Sequence, residues 1–202
     1  MRADGVYHRA VTWARINGTE NMRTKFAMTS NDPEVLGRLA NDPSRIVRLN
    51  VAANPVAPVK LLHKLVQAED LQFEDKVVGS VTLQVVHNPN TSAETLQMVA
   101  DKCLPALYPF VARHQNTWRI TLEQLFSADA KQYVLALRQE LAENSVTPAE
   151  ILDQLANSES FHVRMRVAGN RSTQAGTLAR LKNDPNPYVQ RALKDNPFIP
   201  LR

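Results

Sequence analysis

The stretch VAANPVAPVKLLHKL, residues 51–65, places two prolines three positions apart inside a run that otherwise suits a helix. A similar string, LAENSVTPAEILDQL, occupies residues 141–155. Proline disfavours helical geometry in the residue before it, so one helix is expected to stop at Asn54. A second helix is expected to start near Pro58. The fold therefore depends on whether this two-helix pattern repeats along the chain.

The pattern does repeat when the chain is aligned on an asparagine and on the leucine eight residues after it. Successive anchors are 34, 26, 30, 26 and 26 residues apart, and the last anchor, Asn196, opens an incomplete sixth frame. Periods of roughly 20 to 50 residues indicate stacked supersecondary units. The five complete frames have these anchors: Asn54 and Leu62, Asn88 and Leu96, His114 and Leu122, Asn144 and Leu152, and Asn170 and Leu178.

Each frame reads as two short helices joined by a turn. The first half places Val47, Val51 and Ala52 on one helical face, and the second half buries leucines such as Leu62. The segment TPAE, residues 147–150, has the spacing of a capping box with proline at the first helical position. A half unit containing Leu36 precedes the first frame. Such units are too small to bury a core alone, so neighbouring units must cover one another.

Composition agrees with a helical globular chain. Of 202 residues, 44% are hydrophobic, and there are only six glycines. No apolar run reaches the roughly 18 residues that span a bilayer, and the first residues contain no apolar block typical of a secretory signal. Cys103 is the single cysteine, which excludes an intrachain disulfide. We expect a cytoplasmic protein with no cofactor and no membrane partner.

Two segments carry the resemblance to a known family: DPSRIVRLNVAANPVAPVKLLHKLV, residues 42–66, and SFHVRMRVAGNRST, residues 160–173. They resemble the leucine-rich repeat variant family, a HEAT-like α-solenoid, and the likeness covers roughly residues 30–202. The resemblance implies an all-α, right-handed superhelical solenoid of about six short two-helix repeats. Some members carry a cysteine-ligated iron–sulfur segment ahead of the repeats, but residues 1–30 contain no cysteine, so no redox role is implied.

Residues 1–29 are predicted to form an N-terminal helical cap ahead of the solenoid of residues 30–202. In this segment Val6, Ala10, Trp13 and Ile16 fall on one side of a helix. An open solenoid end exposes apolar surface, which such a cap would cover.

Arginines recur on the first helices of the frames, and the formal net charge of +4 is concentrated towards the chain ends. Residues 161–202 alone hold eight Lys/Arg and two Asp/Glu. One interpretation is a basic stripe for an acidic partner or a phosphate backbone. The other is an internal polar ladder between repeats or an ordinary solvated face. The arginines concerned are Arg45, Arg48, Arg138, Arg164, Arg166 and Arg191.

Three further side chains are candidate contacts on the ridge between helices. His87 precedes an anchor asparagine and His114 replaces one. The structural alternative is that His114 takes over the turn hydrogen bonds of the asparagine. Trp118 lies beside Arg119 and could stack on a base or anchor a partner, or else fill a gap in an irregular repeat.

Two irregular stretches, residues 68–80 and 100–111, interrupt the period and are expected to be surface excursions or binding loops. Cys103, in the second stretch, reads as a small apolar filler. The sequence contains no paired Cys/His metal motif, phosphate loop or catalytic triad signature.

We therefore predict a non-enzymatic interaction or scaffold module that binds a protein partner through an extended repeat surface. The predicted contacts are the six arginines with His87, His114 and Trp118. The alternative is a DNA- or RNA-binding solenoid, and less strongly, on fold analogy alone, a base-excision enzyme.

Overall fold

The computed structural model describes residues 18–69, 79–102 and 104–197, and these residues are helical with no strand among them. The all-α expectation is therefore confirmed. The chain falls into two compact units, unit 1 ending at Thr95 and unit 2 beginning at Leu96. The described part of unit 1 contains α1 (Glu20–Thr29), α2 (Pro33–Leu39), α3 (Arg45–Ala53), α4 (Val59–Ala68) and α5 (Val81–His87), and α6 (Ala93–Asp101) spans the division.

Unit 2 continues the alternation of short helices. Its 3₁₀ turns are Pro105–Leu107 and Lys131–Tyr133. Its helices are α7 (Tyr108–Arg113), α8 (Arg119–Ser127), α9 (Val134–Glu143), α10 (Ala149–Leu155), α11 (Phe161–Gly169), α12 (Ala175–Leu181) and α13 (Pro187–Lys194).

First helices of successive frames pack side by side within each unit. In unit 1 these are α1, α3 and α5, and in unit 2 they are α7, α9, α11 and α13. Their apolar faces and those of the second helices form the core, as the periodicity predicts. The anchor leucines are all buried, which confirms their predicted interior position: Leu36, Leu62, Leu96, Leu122, Leu152 and Leu178.

Each described first helix from α3 to α11 ends at the predicted anchor residue. Asn54 has φ −68° and ψ 122°, and Asn144 has the same angles. This extended ψ directs the chain out of the helix, while the Asn54 backbone N–H still donates to the Val51 carbonyl. The prediction that the asparagine stops the first helix is therefore confirmed at Asn54 and Asn88, whereas α13, before Asn196, already ends at Lys194 with Asp195 as its cap.

The anchor side chain also joins one frame to the one before it. In unit 2 the Asn170 Nδ2 donates to the carbonyls of Ala142 and Asn144, at 2.8 and 3.0 Å. Its Oδ1 accepts from the Ser172 backbone N–H at 2.8 Å. Amide groups at equivalent positions make equivalent donations to the preceding frame: Asn54 and Asn88 in unit 1, and Asn144 and Asn196 in unit 2.

His114 keeps part of this arrangement at its own frame. Its ring is buried, and its Nδ1 accepts from the Asn116 backbone N–H at 3.1 Å. This bond matches the one that the asparagine Oδ1 accepts in the other frames. The structural alternative for His114, that it takes over a turn hydrogen bond of the asparagine, is therefore confirmed.

The predicted capping box at residues 147–150 is wrong. The Thr147 hydroxyl turns back and donates to the Leu141 carbonyl at 2.7 Å, while α10 begins at Ala149 after Pro148. The backbone carbonyls near the end of the preceding helix lack helical partners, so the hydroxyl satisfies one of them. The same bond is made by Thr91, Thr117 and Thr173 to Val85, Val111 and Val167.

The second irregular stretch also differs from the expectation. Residues 104–109 are buried, because the 3₁₀ turn and the start of α7 occupy the place of a first helix. This part of the stretch is therefore core, not a surface excursion. Trp13, Cys103 and residues 70–78 of the first irregular stretch lie outside the described residues.

The asparagine ladder predicts a large effect from one small truncation. Asn170→Ala removes the side-chain donor to the buried carbonyl of Ala142 and one of the two donors to that of Asn144, which keeps its bond from the Thr147 N–H. Each lost bond of this kind costs about 1–3 kcal/mol. We expect the free energy of unfolding to fall by about 3 kcal/mol. Urea unfolding followed by circular dichroism measures this change. Asn183→Ala, at an exposed position after α12, is the control; equal losses in the two variants would contradict the ladder's role.

Candidate functional site

Two arginine–aspartate pairs clamp successive frames together at the loops that lead into the first helices. Arg23 on α1 donates from Nε and Nη2 to the two carboxylate oxygens of Asp42, at 2.6 and 3.1 Å. Arg164 on α11 makes the same two-pronged contact with Asp184, at 2.7 and 3.1 Å. Both carboxylates are buried. We call these two contacts the arginine clamps.

Each clamp shifts the ionisation of its carboxylate. The hydrogen bond from Arg164 lowers the pKa of Asp184, and the backbone N–H of Asn186 acts in the same direction. At Asp42 burial pushes the pKa upward. The hydrogen bonds from Arg23 and from the Ser44 backbone outweigh it, so the pKa is lowered. Planar, two-pronged bonding between guanidinium and carboxylate accounts for the strength of these contacts.

A second set of bonds fixes the loop itself. The Arg48 Nη1 donates to the carbonyls of Asp42 and Pro43, at 2.8 and 3.0 Å. The Arg164 Nη1 donates in the same way to the carbonyls of Ser158 and Glu159, at 2.8 and 2.9 Å. These two arginines, predicted as partner contacts, are therefore engaged within the chain.

The clamp position between α10 and α11 has no carboxylate. Ser158 stands where Asp42 and Asp184 stand, and its Oγ accepts from the Ser160 backbone N–H at 3.3 Å. Asp42 accepts the matching bond from Ser44, at 2.8 Å. The backbone turn is thus preserved at Ser158 while the carboxylate is missing.

The arginine that corresponds to this position is Arg138. It lies twenty residues before Ser158, as Arg164 lies twenty before Asp184. Its side chain is exposed, and within the described part of the chain its guanidinium has neither a hydrogen bond nor an ion pair. Arg138 therefore presents a charged fork without the acceptor that Arg23 and Arg164 have.

An open groove of about 650 Å³ lies at this position. Its walls combine apolar side chains from α8, α9 and α10 with Arg138 and the polar loop between α10 and α11. We call it the Arg138 groove, and it is lined by Phe126, Val134, Leu135, Arg138, Gln154, Leu155, Asn157, Ser158, Glu159 and Ser160. It can hold a ligand that is partly apolar and partly anionic.

The remaining predicted arginines differ in their environments. Arg45 lies 3.6 Å from Glu69, and Arg166 lies 3.0 Å from Glu143. Arg191 on α13 is exposed, and no residue in the described ranges is bonded to its side chain. Of the six arginines, Arg138 and Arg191 are thus available to a partner without breaking an existing contact.

The two histidines and the tryptophan differ in their surroundings. His87, in unit 1, is exposed with its Nδ1 2.9 Å from the Leu83 carbonyl, whereas His114, in unit 2, is buried. Trp118 is 46% exposed at the start of α8. The adjacent Arg119 pairs with Glu123 and Glu150, at 2.9 and 3.4 Å. Trp118 therefore remains a candidate contact, while His114 is occupied in its turn.

A separate electrostatic feature lies on the first helices of unit 2. Burial raises the pKa of Glu140. The positive charges of Arg113 and Arg166 oppose this increase, and the negative charge of Glu143 adds to it. Acid and base thus alternate here, which makes this face unlike a continuous basic track.

Sequence reasoning found Arg138 but missed the groove around it. The same place at the junction between frames is occupied by Asp42, Ser158 and Asp184. The replacement of aspartate by serine at residue 158 was therefore visible in the sequence. Its consequence was not, because the partner of each aspartate is an arginine from the preceding frame, about twenty residues away. The apolar walls from Phe126 and Leu135 gave no separate signal.

Among the described residues no cluster of His, Cys, Asp and Glu could hold a metal ion. No helix in the described ranges is both long and apolar enough to cross a bilayer. Comparison of the chain with protein-family models, curated proteins and solved structures finds no match. The described residues therefore place the chain in the all-α class, and membership of the leucine-rich repeat variant family stays a prediction.

The clamp at Asp184 predicts a specific acid sensitivity. The folded-state pKa of Asp184 lies below its unfolded value of about 3.9, so the clamp stabilises the fold above that value. Its contribution disappears as the pH falls through the lowered pKa. We expect Asp184→Asn to lose about 1–2 kcal/mol at neutral pH, and the gap to the parent chain should close in acid.

Urea unfolding measured from about pH 7 to about pH 2 tests this linkage. Asp195→Asn, which removes an exposed carboxylate after α13, is the matched control. Parallel curves for Asp184→Asn and the parent chain would show that the clamp does not stabilise the folded state.

Proposed function

We propose that this chain is a non-enzymatic interaction module that binds a protein partner through the exposed surface of unit 2. The observation that carries the proposal is the Arg138 groove, where an arginine that has no acceptor among the described residues lies beside apolar walls. Buried interface contacts are enriched in arginine and aromatic residues, and this composition favours a protein ligand.

Exposed or half-buried apolar side chains at the starts of the first helices extend this surface. Leu135 on α9 is 48% exposed, and Tyr188 on α13 is 60% exposed. Between them in the order of helices, Phe161 on α11 stacks with Tyr188 at a ring-centre distance of 6.2 Å. We call Leu135, Phe161 and Tyr188 the helix-start row. Leu135 also lines the groove, so row and groove adjoin.

The solenoid arrangement of the two-helix repeats is also part of this proposal. First helices that pack side by side within each unit support the solenoid arrangement, since stacked repeats are how such units bury their cores. A right-handed superhelix and a cytoplasmic location remain predictions from the sequence.

The charge arrangement favours protein over nucleic acid as the partner. Arg164, Arg166 and Arg180 in the basic C-terminal segment pair with Asp184, Glu143 and Asp153. A phosphate backbone calls for a row of available cations. The paired arginines offer fewer cations than the formal charge of the segment suggests, so DNA or RNA binding stays the alternative.

The helix-start row predicts that a substitution at Tyr188 will weaken partner binding. Tyr188→Glu places a carboxylate on an exposed apolar site, so burial of this site against a protein becomes unfavourable. We expect partner recovery to drop about tenfold or more in capture from nuclease-treated lysate on the immobilised full chain. The captured proteins are then identified by mass spectrometry.

Ile46→Glu is the matched control, because Ile46 is 55% exposed at the equivalent place on α3 in unit 1. It should retain the partner. Recovery that is equal for both variants would move the site away from unit 2. Recovery of nucleic acid alone, with binding that weakens steeply as salt rises, would replace the proposal with the alternative function.

A further inference from the structure

We infer that the Arg138 groove receives the carboxylate of an aspartate side chain from a partner protein, next to an apolar residue of that partner. The inference rests on the proposed function, since it specifies the chemistry by which a protein is recognised. Its basis is a comparison within the chain, in which one frame junction lacks the acidic half of a clamp that two other junctions possess.

The complete clamps provide the template for the missing one. In both, a guanidinium from the preceding frame donates two bonds to an aspartate that begins the loop, at 2.6–3.1 Å. That aspartate also accepts from the backbone N–H two residues later, from Ser44 in one loop and Asn186 in the other. Aspartate is thus the acceptor that this backbone geometry is built to use.

The junction at Ser158 keeps every part of the template except the carboxylate. The Ser160 N–H still bonds to the side chain of Ser158, and Arg164 still donates to the Ser158 carbonyl. The loop is therefore held in the same form. A hydroxyl is too short and carries no charge, so it cannot replace the carboxylate as an acceptor for two guanidinium bonds.

Arg138 also lacks the second set of contacts that Arg48 and Arg164 make, the hydrogen bonds from the guanidinium to backbone carbonyls. Those residues donate to carbonyls six and five positions earlier. For Arg138 the corresponding residues fall in the 3₁₀ turn Lys131–Tyr133, which begins at a φ of 47° and feeds directly into α9. In the described part of the chain this leaves the guanidinium with no acceptor.

The groove walls define the rest of the ligand. Phe126, Val134, Leu135 and Leu155 border the space next to Arg138, so the residue beside the acceptor is expected to be apolar. A phosphate group would satisfy the arginine but would leave these walls uncovered. An aspartate with an apolar neighbour satisfies both, which is why the proposal commits to a protein segment.

One acid already lines the groove. Glu159 is exposed, and within the described residues it forms no ion pair with Arg138, although its backbone carbonyl is bonded by Arg164. Its charge would repel an incoming carboxylate. Removal of this charge is therefore expected to strengthen binding, whereas a basic ligand would respond in the opposite sense.

The experiment selects short random peptides displayed on phage against the full chain. We expect the enriched peptides to share an aspartate next to an apolar residue. Ser158→Asp supplies the missing carboxylate internally, so it should raise Tm and weaken the selected peptides about tenfold to hundredfold, the loss of hydrogen bonds to a charged group. Fluorescence anisotropy with labelled synthetic peptides measures the affinities.

Three further variants keep the test decisive if Ser158→Asp folds poorly. Arg138→Gln should weaken the peptides by a similar factor, and Arg171→Gln, which removes an exposed arginine of unit 2 that does not line the groove, should leave them unchanged. Glu159→Gln should tighten binding. Replacement of the peptide aspartate by asparagine should weaken binding to the parent chain and make little difference to Arg138→Gln.

Enriched peptides without an acid, or affinities that Arg138→Gln and Ser158→Asp leave unchanged, would overturn the inference. So would competition by inorganic phosphate as effective as that by the peptide. These outcomes are separate from failure of the proposed function. A protein partner that is captured by the parent chain and lost on Tyr188→Glu, but insensitive to Ser158→Asp, would sink the inference and leave the interaction module in place.

Discussion

The amide side chain of the anchor asparagine is the interaction on which the described structure depends. One Asn170 side chain donates to two backbone carbonyls of the preceding frame and accepts from its own turn. The first helix must end at this residue, since its backbone carries the turn, and the donated bonds fix how far each frame is displaced from the last. Because the site is buried, water cannot take the place of the asparagine amide as the donor to these carbonyls. Helix end, turn and frame spacing are therefore set together.

Other polar contacts follow from this fixed spacing. Once successive frames are in register, the arginine clamps reach forward to the next loop, whereas each threonine hydroxyl bonds back to the first helix of its own frame. In the described residues every buried side-chain nitrogen and oxygen has a hydrogen-bond partner. In a repeat whose interior is satisfied so fully, open groups arise where the pattern is broken, and it is there that we propose recognition. Arg138 opposite Ser158 is such a position, and it coincides with an open groove.

The sequence predicted a large part of this arrangement, and its errors have physical causes. The buried leucines and the asparagine helix ends followed from spacing, because burial and proline placement act locally. The capping box predicted at Thr147 was wrong. Its hydroxyl can bond either to the helix that follows or to the helix that precedes it, and it donates to the Leu141 carbonyl of the preceding helix. The stretch of residues 104–109 looked like an insertion, yet a 3₁₀ turn allowed it to fill the place of a first helix.

At the candidate site, the sequence left two interpretations for each arginine, a contact for a partner or a bond within the chain. Only the contacts in the folded chain could separate them. Arg164 and Arg138 occupy the same place in their frames, and the sequence treats them alike. The tertiary structure distinguishes them, because the corresponding position in the following frame holds Asp184, which bonds to Arg164, but Ser158 in the case of Arg138. The sequence by itself determined the helical repeat, since periodicity and proline are properties of a single segment. The fold decided which charges are satisfied and which stay open, because a guanidinium finds its acceptor only after distant segments have packed.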